Sequence, residues 1–228
     1  TEPGSHGLFL NDEVFRSGAV GLALSGNVVV EPVVAQGCRP IGPPCFVTRC
    51  EKNILHELDG HTALSVLQEV CKSLNPHDLT LAQQALSIGL VFDPEHCRYQ
   101  QGDFLVRNLI GAIPDAGALA VGAILEKGSV VQFQVRDARA AWEELDSMLE
   151  RHAMLRRPPS GALMFSCLGR GESLFGESGH DSRVVEKHLG PVPIGGFFCN
   201  GEIGPVSGQT WIHGFTSAIA FFRPALET

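Results

Sequence analysis

Apolar positions along the chain come mostly in short runs that end at Gly, Pro or Asn/Asp pairs, the mark of strands and turns. Residues 7–10 and 13–16 read as two strands about an Asn11-Asp12 turn. A small-and-apolar run over 18–24 reads as a buried strand. The β segment over 28–35 carries Pro32, which demotes it to an edge or bulged strand. Residues 45–50 and 53–58 form a hairpin around Glu51-Lys52. Ala63, Val66, Leu67, Val70, Cys71 and Leu74 then recur at helical spacing, with Thr62 as the expected cap. Asn75-Pro76 stops that helix, and Asp78 is placed to cap a short one reaching residue 86. Strands are expected over 87–92, 104–110, 118–123 and 129–135, with 126–128 as the hairpin turn between the last two. The polar stretch 93–102 reads as an exposed loop. Asp137 caps a helix whose apolar stripe is Ala138, Ala141, Trp142, Leu145, Met148 and Leu149, and 156–160 is linker-like.

The last third has a different pattern. A nearly continuous apolar strand spans 161–167, a Gly-rich loop 169–179, a short helix 181–189 and a second apolar strand 192–198; a final strand covers 215–222. Strand, crossover helix and strand imply a parallel pair, and unbroken apolarity implies that both of its faces are covered. The expected class is α/β, with mixed parallel and antiparallel β-sheets and flanking helices. Residues 14–24 can be laid over 212–222, each passing from a polar turn into a small apolar strand, which hints at an internal duplication.

Composition narrows the function classes. The chain has 228 residues, 44% hydrophobic and only 18% charged, enough for a real core. Its net charge of -8 argues against nucleic-acid binding and against docking on anionic lipid. The polar start lacks the apolar core of a signal peptide, and no apolar run reaches a membrane-spanning length, so a cytoplasmic protein is expected. Seven cysteines without a CxxC pair read as reduced thiols. His96-Cys97 and the His56/His61 spacing make no metal set, and the glycine loop matches neither a P-loop nor a dinucleotide fingerprint. No metal and no cofactor are expected.

Both strands of the parallel pair end in unusual residues: Cys167, Gly169, Arg170 and Gly171 on one, Cys199, Asn200, Gly201 and Glu202 on the other. Adjacent strands lie roughly 4.8 Å apart, so the two cysteines are expected as neighbours at the carboxyl edge of one sheet, where open α/β sheets bind ligands. There Arg170 suits an anionic group and Glu202 an amine, the two ends of a small zwitterion. The plainer alternative is that these loops are turns and that Arg170 pairs with Glu202. An enzymatic alternative makes Cys167 or Cys199 a nucleophile, His180 or His213 its base, and Glu202 the orienting group.

The words SCLGRG and FFCNGEIGP, with their spacing, resemble the C-terminal part of the FIST family, the F-box and intracellular signal transduction proteins. RPIGPPCFVTRCEKNILHELDGHTAL and GDFLVRNLIGAIPDAGALAVGA resemble the earlier part of the same region, and GLFLNDEVFRSGAVGLALSG the closing strands of the family's N-terminal region. The resemblance implies a pseudo-duplicated architecture, with residues 1–36 closing an N-terminal region whose larger part is not in this chain and 37–228 forming the C-terminal domain. It implies sensing of a small, amino-acid-like ligand, in signalling with a regulatory protein partner, and carries over Cys167, Gly169, Arg170, Gly171, Asn200, Gly201 and Glu202 as the pocket. A protein-interaction scaffold without ligand, anchored by an exposed Phe175, is the alternative, and a cysteine-dependent hydrolase the third reading. An unpaired sheet edge at the start would favour a homodimer.

Overall fold

The computed structural model describes residues 6–93, 98–155, 158–206 and 208–225. The chain divides into two units, residues 1–29 with 224–228, and residues 30–223. In the first, β1 (Leu8–Leu10) and β2 (Glu13–Phe15) pair antiparallel about Asn11, whose φ of 53° is the left-handed turn geometry that Asn tolerates. The expected strand over 18–24 does not form. That run is exposed, Leu22 to 82%, and no described strand pairs with it. An apolar run becomes a strand only where a neighbour takes up its backbone groups.

All but the first residue of β3 (Val29–Ala35), an edge strand as Pro32 requires, belongs to the second unit, and β4 (Cys38–Pro40) comes next. Then follow β5 (Cys45–Glu51), β6 (Ile54–Leu58), β7 (His61–Thr62), α1 (Ala63–Ser73), α2 (Pro76–Gln84), β8 (Leu86–Val91) and β9 (Phe104–Ile113). A single 3-10 turn leads to β10 (Ala118–Val121), β11 (Val130–Arg136) and α3 (Ala138–Leu155). Six of these strands close on themselves, in the order β10-β9-β8-β11-β5-β6 and back to β10, every neighbour antiparallel. Closure removes the sheet edges. The barrel is filled by Val47, Leu55, Leu58, Ile88, Leu119, Val131 and Phe133, with Ala63 and Val70 of α1 packed on them. The expected hairpin at 126–128 is therefore corrected. The strand before it pairs with β9 and β6, and the strand after it with β8, β5 and β4. A turn signal is local, whereas ring closure decides partners.

The helix signals at 63–74 and 138–149 hold in place, whereas the helix expected from Asp78 to residue 86 runs Pro76–Gln84, and Leu86 already belongs to β8. Asp137 Oδ1 accepts from the backbone of Arg139 and Ala140, capping α3. On α2 the cap is Asn75, accepting from Asp78 N at 2.9 Å with Pro76 at the first helical position, rather than Asp78 itself. Thr62 sits at the N-cap of α1, but its hydroxyl bonds Ser65.

The remaining elements are β12 (Gly161–Cys167), α4 (Glu172–Phe175), α5 (His180–Leu189), β13 (Ile194–Cys199), β14 (Glu202–Val206), β15 (Gln209–His213) and β16 (Ser217–Arg223). They build a mixed four-stranded sheet, β13-β12-β16-β3, in which β12 and β13 run parallel and β12 and β16 antiparallel. One core joins it to the helices: Ala162, Ile219 and Phe221 meet Leu145 and Leu149 of α3 and Val184 and Val185 of α5. The expectation that both faces of the parallel pair are covered fails for β13. It lies at the sheet edge, with Phe197 66% and Phe198 56% exposed. The exposed loop foreseen over 93–102 and the linker over 156–160 fall partly outside the described residues.

One half-buried group makes stability depend on pH. Burial pushes the Glu144 carboxyl up from 4.5 to about 7, although its Oε2 accepts from Gln101 Nε2 and from Gln36 N. The folded state then holds a proton that the unfolded chain has released. The contribution is present below about pH 4.5 and is lost as pH rises through about 7. Glu144→Gln keeps an acceptor and removes the charge. Thermal melts from about pH 5 to about pH 8 should show a flatter profile for the variant, with a higher melting temperature than the parent at the alkaline end.

Candidate functional site

The parallel pair positions the site. In register, Met164 faces Gly196, Ser166 faces Phe198 and Cys167 faces Cys199. Gly196 has φ 152°, and a Cβ there would lie 1.8 Å from the Met164 carbonyl oxygen, so the strands can approach only with glycine at this point. After β12 the chain turns back: Arg170 N donates to Cys167 O at 2.7 Å, Gly171 takes φ 82°, and α4 follows. Gly179, with φ 67°, then caps α5 and brings its first turn over the sheet.

That first turn carries Asp181, buried beneath α5. Arg170 Nε and Nη2 donate to its two oxygens at 2.7 and 2.9 Å, a bidentate pair. His180 Nδ1 donates to Oδ1 at 3.0 Å, and the Ser166 hydroxyl lies 3.5 Å from Oδ2 and 2.8 Å from that of Ser217. Burial pushes the Asp181 carboxyl up; the bonds from Arg170 and His180 more than offset this and leave it below the usual carboxylate range. Phe175 stacks on His180, centroids 3.6 Å apart, and presents its ring to the Arg170 guanidinium at 5.3 Å. Phe175 is therefore part of this cluster rather than the exposed anchor foreseen.

Beside the cluster lies a cavity of about 320 Å³. Met164, Ile194, Phe197 and Phe198 make its apolar walls; Ser166, His180, Asp181 and Ser182 supply its polar end, and Gly171, Gly179, Gly195 and Gly196 complete it. The volume sits at the small end of ligand pockets.

Of the eight residues singled out in the sequence, Gly171 lines this cavity. Arg170 lies behind it, 2% exposed, its fork taken by Asp181 and its Nη1 without a hydrogen-bond partner. Glu202 is 1% exposed and does not pair with Arg170: its Oε2 accepts from the Thr216 hydroxyl at 2.7 Å, and Oε1 has no partner. Burial pushes this carboxyl up; the Thr216 bonds and the Arg170 and Arg136 cations only partly offset it. Gly169 packs against the Arg136 guanidinium, where a Cβ would come within 2.2 Å of Nη1. Cys167 and Cys199 are neighbours as expected. Burial raises the Cys199 thiol, with the Glu202 carboxylate and Cys167 adding to it. Asn200 and Gly201 are exposed in the turn from β13 to β14. Sequence reasoning missed Asp181 and Ser166. The available signals were a hydroxyl inside an apolar strand and a carboxylate opening a helix after a glycine loop.

A closed antiparallel barrel beside a mixed sheet, with a cavity where the crossover helix meets the parallel pair, defines a mixed α/β protein. The chain belongs to the FIST family: residues 2–61 match the FIST N domain and residues 63–205 the FIST C domain. FIST domains are signal-transduction domains. An uncharacterized protein of Mycobacterium tuberculosis is 45% identical over 216 residues, 94% of this chain and 56% of its own length. Another from Mycobacterium bovis is 42% identical over 222 residues, 96% of this chain and 57% of its own. An F-box/LRR-repeat protein of Arabidopsis thaliana is 26% identical over 176 residues, 72% of this chain and 32% of its own. The chain thus spans about half the length of the mycobacterial relatives. Among the described residues no helix is long and apolar enough to cross a membrane, and no cluster of metal-ligating side chains is found.

The ion pair gives a direct prediction. Arg170→Met leaves Asp181 buried without its partner and should cost about 3–5 kcal/mol in denaturant unfolding. Adding Asp181→Leu should recover much of that loss, since a buried pair replaced by apolar groups is often neutral. Gly196→Ala should destabilise as well, because the added methyl meets backbone rather than a movable side chain.

Proposed function

We propose that this chain is the ligand-sensing part of a signal-transduction protein and that the cavity between α5 and the β12/β13 pair takes a small amino-acid-like molecule with an apolar side chain. The observation that carries this reading is the buried Arg170–Asp181–His180 network held at the polar end of an otherwise apolar cavity. An ammonium group meets the Asp181 carboxylate and the Ser166 hydroxyl. A carboxylate meets the free N–H groups at the start of α5, where the helix dipole favours negative charge. The side chain packs on Met164, Ile194, Phe197 and Phe198. Arg170 then acts through Asp181, holding it ionised and oriented, instead of gripping the ligand as the sequence suggested, and Glu202 serves the sheet end rather than the ligand.

We read the site as binding rather than catalytic. The Cys199 thiol is raised by burial, and His180 and His213 are engaged with Asp181 and with the Gly204 carbonyl. Both facts work against a cysteine–histidine nucleophile. Ligand binding would order α4 and the start of α5 and so alter the surface offered to a signalling partner. A scaffold reading draws support from the exposed Phe197, Phe198, Ile203 and Ile212 on adjoining strands.

Thermal-shift measurements with the twenty amino acids test the proposal. At about a hundred times Kd a bound ligand adds about 2.7 kcal/mol, which in a domain of this size raises Tm by roughly 5–10 °C. The rise is expected with an apolar amino acid and should vanish in Ser166→Ala combined with Phe198→Ala. No shift with any amino acid would reject the ligand class.

A further inference from the structure

Cys167 and Cys199 stand directly opposite each other at the carboxyl ends of β12 and β13. Opposed residues on neighbouring strands point to the same face, about 4.8 Å apart. That separation lies inside the Cα window of about 4.4–6.8 Å that a disulfide spans. The ladder holds both ends in place: Leu168 N donates to Cys199 O and Cys167 N to Thr216 O, each at 2.8 Å. Both thiols are free and partly exposed. The Arg136 guanidinium interacts with Cys167, and its Nε and Nη2 have no hydrogen-bond partner. The thiolate is the form that reacts with oxidants.

The other described cysteines lack these features. Cys38 is also close to Cys167, but it is 2% exposed and burial pushes its thiol up to about 12. Cys45, raised to about 11, shares β5 with Cys50, and Cys71 lies on α1.

We propose that Cys167 and Cys199 form an oxidative modification site, closed by a hydroperoxide into a reversible disulfide across the parallel pair. The Cys167 thiolate attacks one peroxide oxygen, the O–O bond breaks, and the departing hydroxide takes a proton to become water. The resulting sulfenic acid is attacked by the Cys199 sulfur; the S–S bond forms, the S–O bond breaks, and the oxygen leaves as water with the thiol proton. Two thiols and one hydrogen peroxide thus give one disulfide and two waters, the sulfurs losing the two electrons that reduce the peroxide. A dithiol reverses the reaction. The bond ties the edge strand to the sheet one residue beyond Phe198, so it acts on a wall of the cavity, yet its formation does not depend on what the cavity binds.

The experiment treats the full chain with equimolar hydrogen peroxide, blocks remaining thiols and maps the peptides by mass spectrometry. The expected product is a Cys167–Cys199 linked peptide, lighter by two hydrogens and restored by dithiothreitol. In Cys199→Ser, dimedone should trap the sulfenic acid on Cys167. In Cys167→Ser, no dimedone labelling of Cys199 is expected. Circular dichroism confirms that both variants are folded. A link from Cys167 to Cys38 would overturn the proposal, as would oxidation of other cysteines while this pair stays reduced, or dimedone labelling of Cys199 that persists without Cys167.

Discussion

The Arg170 guanidinium and the Asp181 carboxylate leave water together, and much of the C-terminal half is arranged around that step. Each ion alone would bear a desolvation cost of several kcal/mol. Their two parallel bonds, with His180 and Ser166 close by, offset it only when the loop after β12 and the first turn of α5 are both in place. The pair is therefore a condition on the fold as much as a contact within it. It requires Gly179 to begin α5 in the left-handed region. It also requires Gly37 between β3 and β4, where a side chain would sit 2.7 Å from the Phe215 carbonyl and against Arg170. The cavity is a by-product of this arrangement: the helix start is held over the sheet by its polar end, and glycines on β13 leave the space beneath it unfilled.

The barrel contributes to the same neighbourhood from the other side. Its strand β11 ends in Arg136, whose guanidinium lies against Gly169 and over the Phe215 ring at 5.3 Å. Ring closure thus decides where a second cation stands relative to Glu202, Cys167 and Cys199. Beside these charges, Glu202 is anchored by Thr216, which also ties the end of β12 through its carbonyl. Two loops that look alike in sequence, both glycine-rich with a cysteine and an ion, consequently have separate duties. One carries the ion pair behind the cavity, and the other builds the β14–β15 hairpin.

Much of the local structure was legible. The helical stripes at 63–74 and 138–149, the Asp137 cap, the hairpin at 45–58 and the parallel pair with its crossover helix follow from spacing and from single residues whose backbone preferences are strong. What misled was apolarity taken as burial. The run over 18–24 and the strand over 192–198 are equally apolar in the sequence, yet the first has no described strand partner and the second is an exposed edge. The β14–β15 hairpin passed unnoticed because Gly204 and Pro205 interrupt the alternation that marks a strand.

For the site, the sequence by itself determined the parts: two strand ends rich in glycine, a cysteine on each, one arginine and one glutamate, and motifs specific enough to mark the family. Only the tertiary structure decided the pairings. Arg170 took Asp181, eleven residues on, instead of Glu202, because the crossover helix returns its own N-terminus to the strand end it left. Glu202 took Thr216 because the hairpin after β13 folds back on β16. Residue types and spacings are local properties of the chain. Which buried charge meets which is set by the closure of a barrel and the return of a crossover, and both depend on contacts far apart in sequence.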